Sequence, residues 1–122
     1  MAVKILLALA GVMGAAGMVL AAAAAHVAPG TALDGAAYML LFHAVAVIGG
    51  VALLQQNTLQ RPPALLVLAA WVIGAALFAS DIAMRTFAGH RLFPFAAPTG
   101  GTILIAAWLT FMGTAVCALV RK

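Results

Sequence analysis

Residues 77–102 read LFASDIAMRTFAGHRLFPFAAPTGGT and interrupt an otherwise strongly apolar chain. Asp81 and Arg85 lie inside an apolar run, His90 and Arg91 follow a glycine, and Pro98 begins the sequence Pro-Thr-Gly-Gly. On both sides of this stretch the chain returns to long apolar segments. The pattern predicts that one helix ends here and another begins, with charged groups close to the connection.

The composition indicates a membrane protein. Of the 122 residues, 67% are hydrophobic and only 7% are charged, whereas soluble domains carry about 25% charged residues. The mean hydropathy is +1.23. The net charge of +4 comes from scattered basic residues without interleaved aromatics, so we expect no nucleic-acid partner. A single cysteine, Cys117, allows neither an internal disulfide nor a thiolate metal site.

Four apolar segments are long enough to cross a bilayer, which takes about 20 helical residues. They cover residues 5–27, 32–54, 64–87 and 101–120. The first is too long for the core of a signal peptide, so we expect it to be a retained helix. Short connections favour an all-α membrane protein with four transmembrane helices in an antiparallel up-down bundle, as one domain over residues 1–122.

The basic residues predict the orientation. Lys4, Arg61, Arg121 and Lys122 fall on one side of the predicted membrane and Arg91 on the other. By the positive-inside rule, both termini face the cytoplasm. Together with the Ala- and Gly-rich composition, this predicts a multi-pass protein of a bacterial inner membrane, with the lipid bilayer as its first partner.

This topology brings the unusual residues of all four helices into the outer half of the bundle. Asp81 and Arg85 are spaced i, i+4, with the acid on the N-terminal side, which favours an ion pair. A carboxylate in hydrocarbon needs such a partner. The pair is either structural or part of a proton or cation site. The candidate polar cluster comprises His26, His43, Ser80, Asp81, Arg85, Thr99, Gly100 and Gly101.

His43 has three interpretations. As a neutral hydrogen-bond donor between helices, it would need one partner, for instance the Ser80 hydroxyl. It would also suit a proton path with Asp81, because imidazole titrates near neutral pH. An axial haem ligand paired with His26 is the remote alternative. No haem-attachment motif and no metal-ligand spacing accompany these histidines, so no cofactor or metal is expected.

Glycines occur at two places that suggest close contacts. Pro98-Thr99-Gly100-Gly101 leaves backbone N–H groups free at a predicted helix N-terminus, which suits an anion, but we favour a tight turn whose glycines let helices approach. Gly11, Gly14 and Gly17 place small residues along the first helix and predict close packing, against this chain or a second copy. Trp71 and Trp108 lie far from the helix ends and are interpreted as packing residues.

Four short motifs in order resemble a known family. They are Ala25-His26-Val27, Phe42-His43-Ala44, Leu77-Phe78-Ala79-Ser80, and Leu92-Phe93 followed by Pro98-Thr99-Gly100-Gly101. The order is similar to that of the bacterial inner-membrane family called domain of unknown function 423, which has a small eukaryotic transmembrane relative. The resemblance covers nearly the whole chain and implies the four-helix fold and an inner-membrane location, without an assigned activity. Asp81 departs from the small or hydroxyl residue expected there.

Chemistry-bearing side chains are scarce, so we expect a non-enzymatic interaction or accessory component. Its partners would be other membrane-protein subunits or a second copy of itself. The alternative is a small dimeric proton-coupled transporter or ion pathway that uses Asp81 and His43. We find no Ser-His-Asp arrangement and no nucleotide-binding loop in the sequence, so an enzyme is the least favoured class.

Overall fold

The chain forms four α-helices joined by short loops in a computed structural model that describes residues 1–121. They are α1 (Ala2–His26), α2 (Leu33–Gln55), α3 (Arg61–Ala88) and α4 (Ala96–Val120). All four are long and apolar enough to cross a membrane, and residues 1–121 contain no strand. The predicted all-α bundle of four membrane-spanning helices is therefore confirmed.

The largest difference from the predicted boundaries is the start of α4, which begins at Ala96 rather than near residue 101. Phe95 adopts a left-handed conformation with φ 66°, and the Phe95 carbonyl accepts the Thr99 N–H at 2.9 Å. Pro98 fits this first turn because its missing N–H would have no helical partner there. The Pro-Thr-Gly-Gly sequence is thus helical and not a turn before the helix.

The helices pack mainly with their sequence neighbours. α1 packs along α2, α2 along α3 and α3 along α4, with a weaker contact between α1 and α3. Within residues 1–121, the backbone of α4 makes no close contact with that of α1 or α2. The most apolar windows of α2 and α3 are 44% and 50% buried, against 22% for α1 and 17% for α4. The central α2–α3 pair therefore forms the core, and α1 and α4 flank it.

Apolar side chains of the central pair fill this core. Trp71, Leu68 and Val67 of α3 and Val47 of α2 are almost completely buried. Gly50 of α2 faces the side chains of Leu68 and Trp71; a Cβ atom there would collide with Leu68 Cδ2 and would lie in ordinary contact, 3.5 Å, with Trp71 Cζ3. The small residue on α2 thus makes room for Leu68 of α3.

A close backbone approach between helices joins Gly74 of α3 to Gly100 of α4. A Cβ atom at Gly100 would lie 2.6 Å from the Gly74 carbonyl oxygen and 2.7 Å from the Phe78 backbone nitrogen. Backbone atoms cannot move aside as a flexible side chain can. Gly100 therefore serves close helix packing, as favoured above, although it does so inside α4 and not in a turn.

Only one of the three predicted packing glycines of α1 is used within the chain. A Cβ atom at Gly17 would lie 3.2 Å from the Ala37 carbonyl oxygen and 2.8 Å from Leu41 Cγ. At Gly11 and Gly14 it would meet nothing within 4 Å. The sequence left open whether these glycines pack against this chain or a second copy, and of the three only Gly17 packs against α2, whereas Gly11 and Gly14 lie on the open side of α1.

Replacing Gly100 by alanine is expected to destabilise the protein by about 1–3 kcal/mol through overpacking against α3. Gly101→Ala is the matched control, because a Cβ atom there meets nothing within 4 Å and alanine favours the helix by up to about 1 kcal/mol. Unfolding of both variants in detergent, followed by circular dichroism, measures the difference. Equal stability of the two variants would contradict the close α3–α4 approach.

Candidate functional site

His43 lies on α2 about 15 Å from the start of the helix at Leu33, close to the middle of a roughly 30 Å hydrocarbon layer. Its side chain is 6% exposed. The Nδ1 atom is 2.8 Å from the Met39 carbonyl oxygen, and the Nε2 atom accepts the Trp108 indole N–H at 3.1 Å. Because Nε2 accepts a hydrogen bond through its lone pair, Nδ1 carries the ring proton, and this N–H donates a hydrogen bond to the Met39 carbonyl oxygen. His43 is therefore a neutral imidazole with both nitrogens engaged.

The rings of Trp71 and Trp108 flank this imidazole, and Phe111 packs against both tryptophans. Together they form the histidine–tryptophan cluster: His43, Trp71, Trp108 and Phe111. The ring centroids of Trp71 and Trp108 are 4.4 Å apart, and those of Trp71 and Phe111 are 5.4 Å apart. Each such aromatic pair contributes about 0.5–1.5 kcal/mol beyond its buried area. Since the backbones of α2 and α4 do not approach each other, these side chains connect the two helices.

A second polar group, the outer anchor, consists of Asp81, Arg85 and the backbone N–H of Leu92. Asp81 is 1% exposed, and its Oδ1 accepts the Leu92 N–H at 2.9 Å. Its Oδ2 lies 3.0 Å from Arg85 Nη2, a charge contact without the alignment of a hydrogen bond. The carboxylate thus ties the α3–α4 loop to α3, while the half-exposed Arg85 offsets its charge.

The ion pair expected from the i, i+4 spacing is present, but the expected partner of His43 is not. Ser80 is exposed and lines a groove beside α1 together with Ala16. The hydrogen bond from His43 to Ser80 is therefore not formed, and the Trp108 indole on α4 is the interhelical partner. His43 accepts in that bond instead of donating, because its own N–H is used within α2.

The eight candidate residues do not form one site. His26 is exposed at the end of α1, whereas His43 is buried among three helices, and haem ligation through its Nε2 atom would have to break the hydrogen bond from Trp108. Thr99 is exposed, and its N–H is bonded to the Phe95 carbonyl. Gly100 is buried against α3. With Pro98 lacking an N–H, the anion site considered at this sequence is not formed.

Two participants were missed by reasoning from the sequence: Trp108 as a donor and the Leu92 backbone as a donor to Asp81. The signal for the first was available, because an indole N–H inside an apolar span needs an acceptor and His43 is a candidate in such a span. The second depends on how the loop folds back over α3. No residue type in the sequence predicts that loop conformation.

Trp108→Phe keeps an aromatic ring but removes the donor to His43. In a double-mutant cycle with His43→Ala, we expect a coupling free energy of about 1 kcal/mol, as for a hydrogen bond inside a membrane protein. Trp71→Phe with His43→Ala is the control cycle, because Trp71 Nε1 has no hydrogen-bond partner in the described structure. Denaturant titrations of the six proteins in micelles supply the values. Equal coupling in both cycles would mean that the indole N–H contributes nothing.

The outer anchor predicts different effects for two substitutions of Asp81. Asp81→Asn keeps a carbonyl oxygen for the Leu92 N–H, whereas Asp81→Ala leaves that donor without its acceptor. In hydrogen exchange followed by mass spectrometry, the Leu92 amide should exchange about tenfold faster in the alanine variant and change less in the asparagine variant. Similar exchange in wild type and Asp81→Ala would show that the carboxylate does not hold the loop.

Comparison with known proteins identifies a family. The family model described as "Protein of unknown function (DUF423)" matches residues 13–101. The matched segment contains His43, Asp81 and Arg85 and ends before Trp108. The chain matches no curated protein and no solved structure.

Proposed function

This chain belongs to the DUF423 family of proteins of unknown function, and we propose that it is a non-enzymatic accessory component of a membrane assembly. Its four spans make it a small multi-pass membrane protein. We further propose a bacterial inner membrane with both termini in the cytoplasm. The positions of Lys4, Arg61 and Arg121 at one end of the bundle support that orientation.

The proposal rests on the partners that the buried titratable side chains contact. In the described part of the chain these are His43 and Asp81. His43 bonds to Met39 and Trp108, and Asp81 contacts Leu92 and Arg85. All four contacts are made within this chain, and those with Trp108 and Leu92 join separate segments. A side chain held in this way stabilises the bundle and is poorly placed to exchange protons or bind a substrate.

The outer faces of the flanking helices favour contact with another helix. α1 exposes Val12 at 64% and Val19 at 67%, and a Cβ atom at Gly11 or Gly14 would meet nothing within 4 Å. In lipid, flat small-residue surfaces let a second helix pack closely. We therefore propose the open side of α1 as the contact with another subunit or a second copy.

A proton-coupled transporter that uses Asp81 and His43 is the competing function. It would require both groups to gain and lose protons during transport. Protonation of His43 at Nε2 would break its bond with Trp108, and protonation of Asp81 would remove the charge that pairs with Arg85. The present geometry thus opposes both steps, and the accessory function is the better supported one.

Gly14→Leu tests the contact, because nothing lies within 4 Å of a Cβ atom at Gly14, and circular dichroism checks that the variant folds. Gly17 is unsuitable, since a larger residue there would collide with α2. Gly113→Leu on α4 is the matched control, with equally open space. The readout is native mass spectrometry of each protein, gently extracted from its own membrane.

We expect wild type and Gly113→Leu to emerge in the same larger assembly. Gly14→Leu should weaken that assembly by about fivefold or more, since overpacking at a helix contact costs about 1–3 kcal/mol. A monomeric wild type, or an assembly that tolerates Gly14→Leu, would contradict the proposed contact.

A further inference from the structure

We infer that a cleft at the Arg61 end of the bundle binds the phosphate of an anionic phospholipid headgroup. The cleft has a volume of about 420 Å³ and lies between the α2–α3 loop and the last turn of α4. The loop contributes Asn57 and Thr58, the first residue of α3 contributes Arg61, and Arg121 enters from the other side. Two arginines that are far apart in the sequence therefore line one cleft.

The loop that forms one wall has a defined conformation. Asn57 adopts a left-handed backbone with φ 57°, and the Thr58 N–H bonds to the Leu53 carbonyl at 3.1 Å. Leu59 is buried and attaches the loop to the core. These contacts hold the polar side chains of the loop at the end of α2, facing the end of α4.

The positive charge of the cleft favours an anionic ligand. The chain has two acidic residues, Asp34 and Asp81, and both lie at the opposite end of the bundle, Asp34 in the first turn of α2 and Asp81 in the outer anchor. No Asp or Glu side chain is therefore available to pair with Arg61 or Arg121. Both arginines are exposed at the cleft, and the guanidinium group matches a phosphate with two parallel hydrogen bonds.

The position of the cleft selects a lipid as the source of the phosphate. It lies where α2 ends, α3 begins and α4 ends, so it is level with the headgroups of a bilayer that these helices cross. Leu59 and Ala118 add apolar surface beside the arginines, which suits the glycerol end of a lipid. Basic pockets between transmembrane helices bind anionic headgroups in this way. The inference depends on membrane insertion and is independent of the proposed accessory role.

The test uses the full chain in nanodiscs that contain phosphatidylcholine with increasing phosphatidylglycerol. Native mass spectrometry counts the retained lipids. We expect selective retention of phosphatidylglycerol by wild type, and about fivefold weaker retention for each of Arg61→Gln and Arg121→Gln. The double variant should lose about 25-fold. Both side chains are exposed, so the fold should persist, and circular dichroism checks it.

A second double variant, Lys4→Gln with Arg91→Gln, removes the same charge away from the cleft and should retain the lipid. Equal loss in both double variants would show that general surface charge attracts the lipid and would overturn the site. Retention unchanged by Arg61→Gln with Arg121→Gln would overturn it as well. Displacement of the lipid by millimolar inorganic phosphate would assign the cleft to the free ion instead of a headgroup.

Discussion

The hydrogen bond from Trp108 to His43 holds the position on which the rest of the bundle depends. The backbone of α4 contacts α3 and stays away from α2, so only long side chains connect α4 to the far half of the core. An imidazole in the middle of a bilayer needs a partner for each nitrogen, because water is absent there. Met39 satisfies one and Trp108 the other, and the second bond joins α4 to α2.

The outer anchor follows the same rule at the end of the bundle. A carboxylate that is 1% exposed is expensive in hydrocarbon unless its charge and its lone pairs are met. Arg85 offsets the charge of Asp81, and the Leu92 N–H uses a lone pair. The histidine–tryptophan cluster and the outer anchor therefore both stabilise contacts within the protein. The surfaces that we propose for partners are the open side of α1 and the cationic cleft at Arg61.

The parts of this structure that could be predicted are those set by a single helix. Four apolar runs of sufficient length identify four spans, and the i, i+4 spacing places Asp81 beside Arg85 whatever the other helices do. The partner of His43 could not be predicted, because it depends on the rotation of α4. The observed environment of Gly100 differs from the predicted one for a related reason. Because α4 begins at Ala96, Gly100 lies inside the helix and packs against Gly74.

The most direct measurement of the central claim is nitrogen-15 NMR of the His43 ring in the protein reconstituted in lipid. The structure predicts a single neutral tautomer with the proton on Nδ1, and a through-space correlation between Nε2 and the Trp108 indole N–H. That result would place the imidazole in an internal, fully used hydrogen-bond network. A proton on Nε2, or a mixture of tautomers with an imidazolium form near neutral pH, would contradict it and return His43 to the candidates for proton transfer.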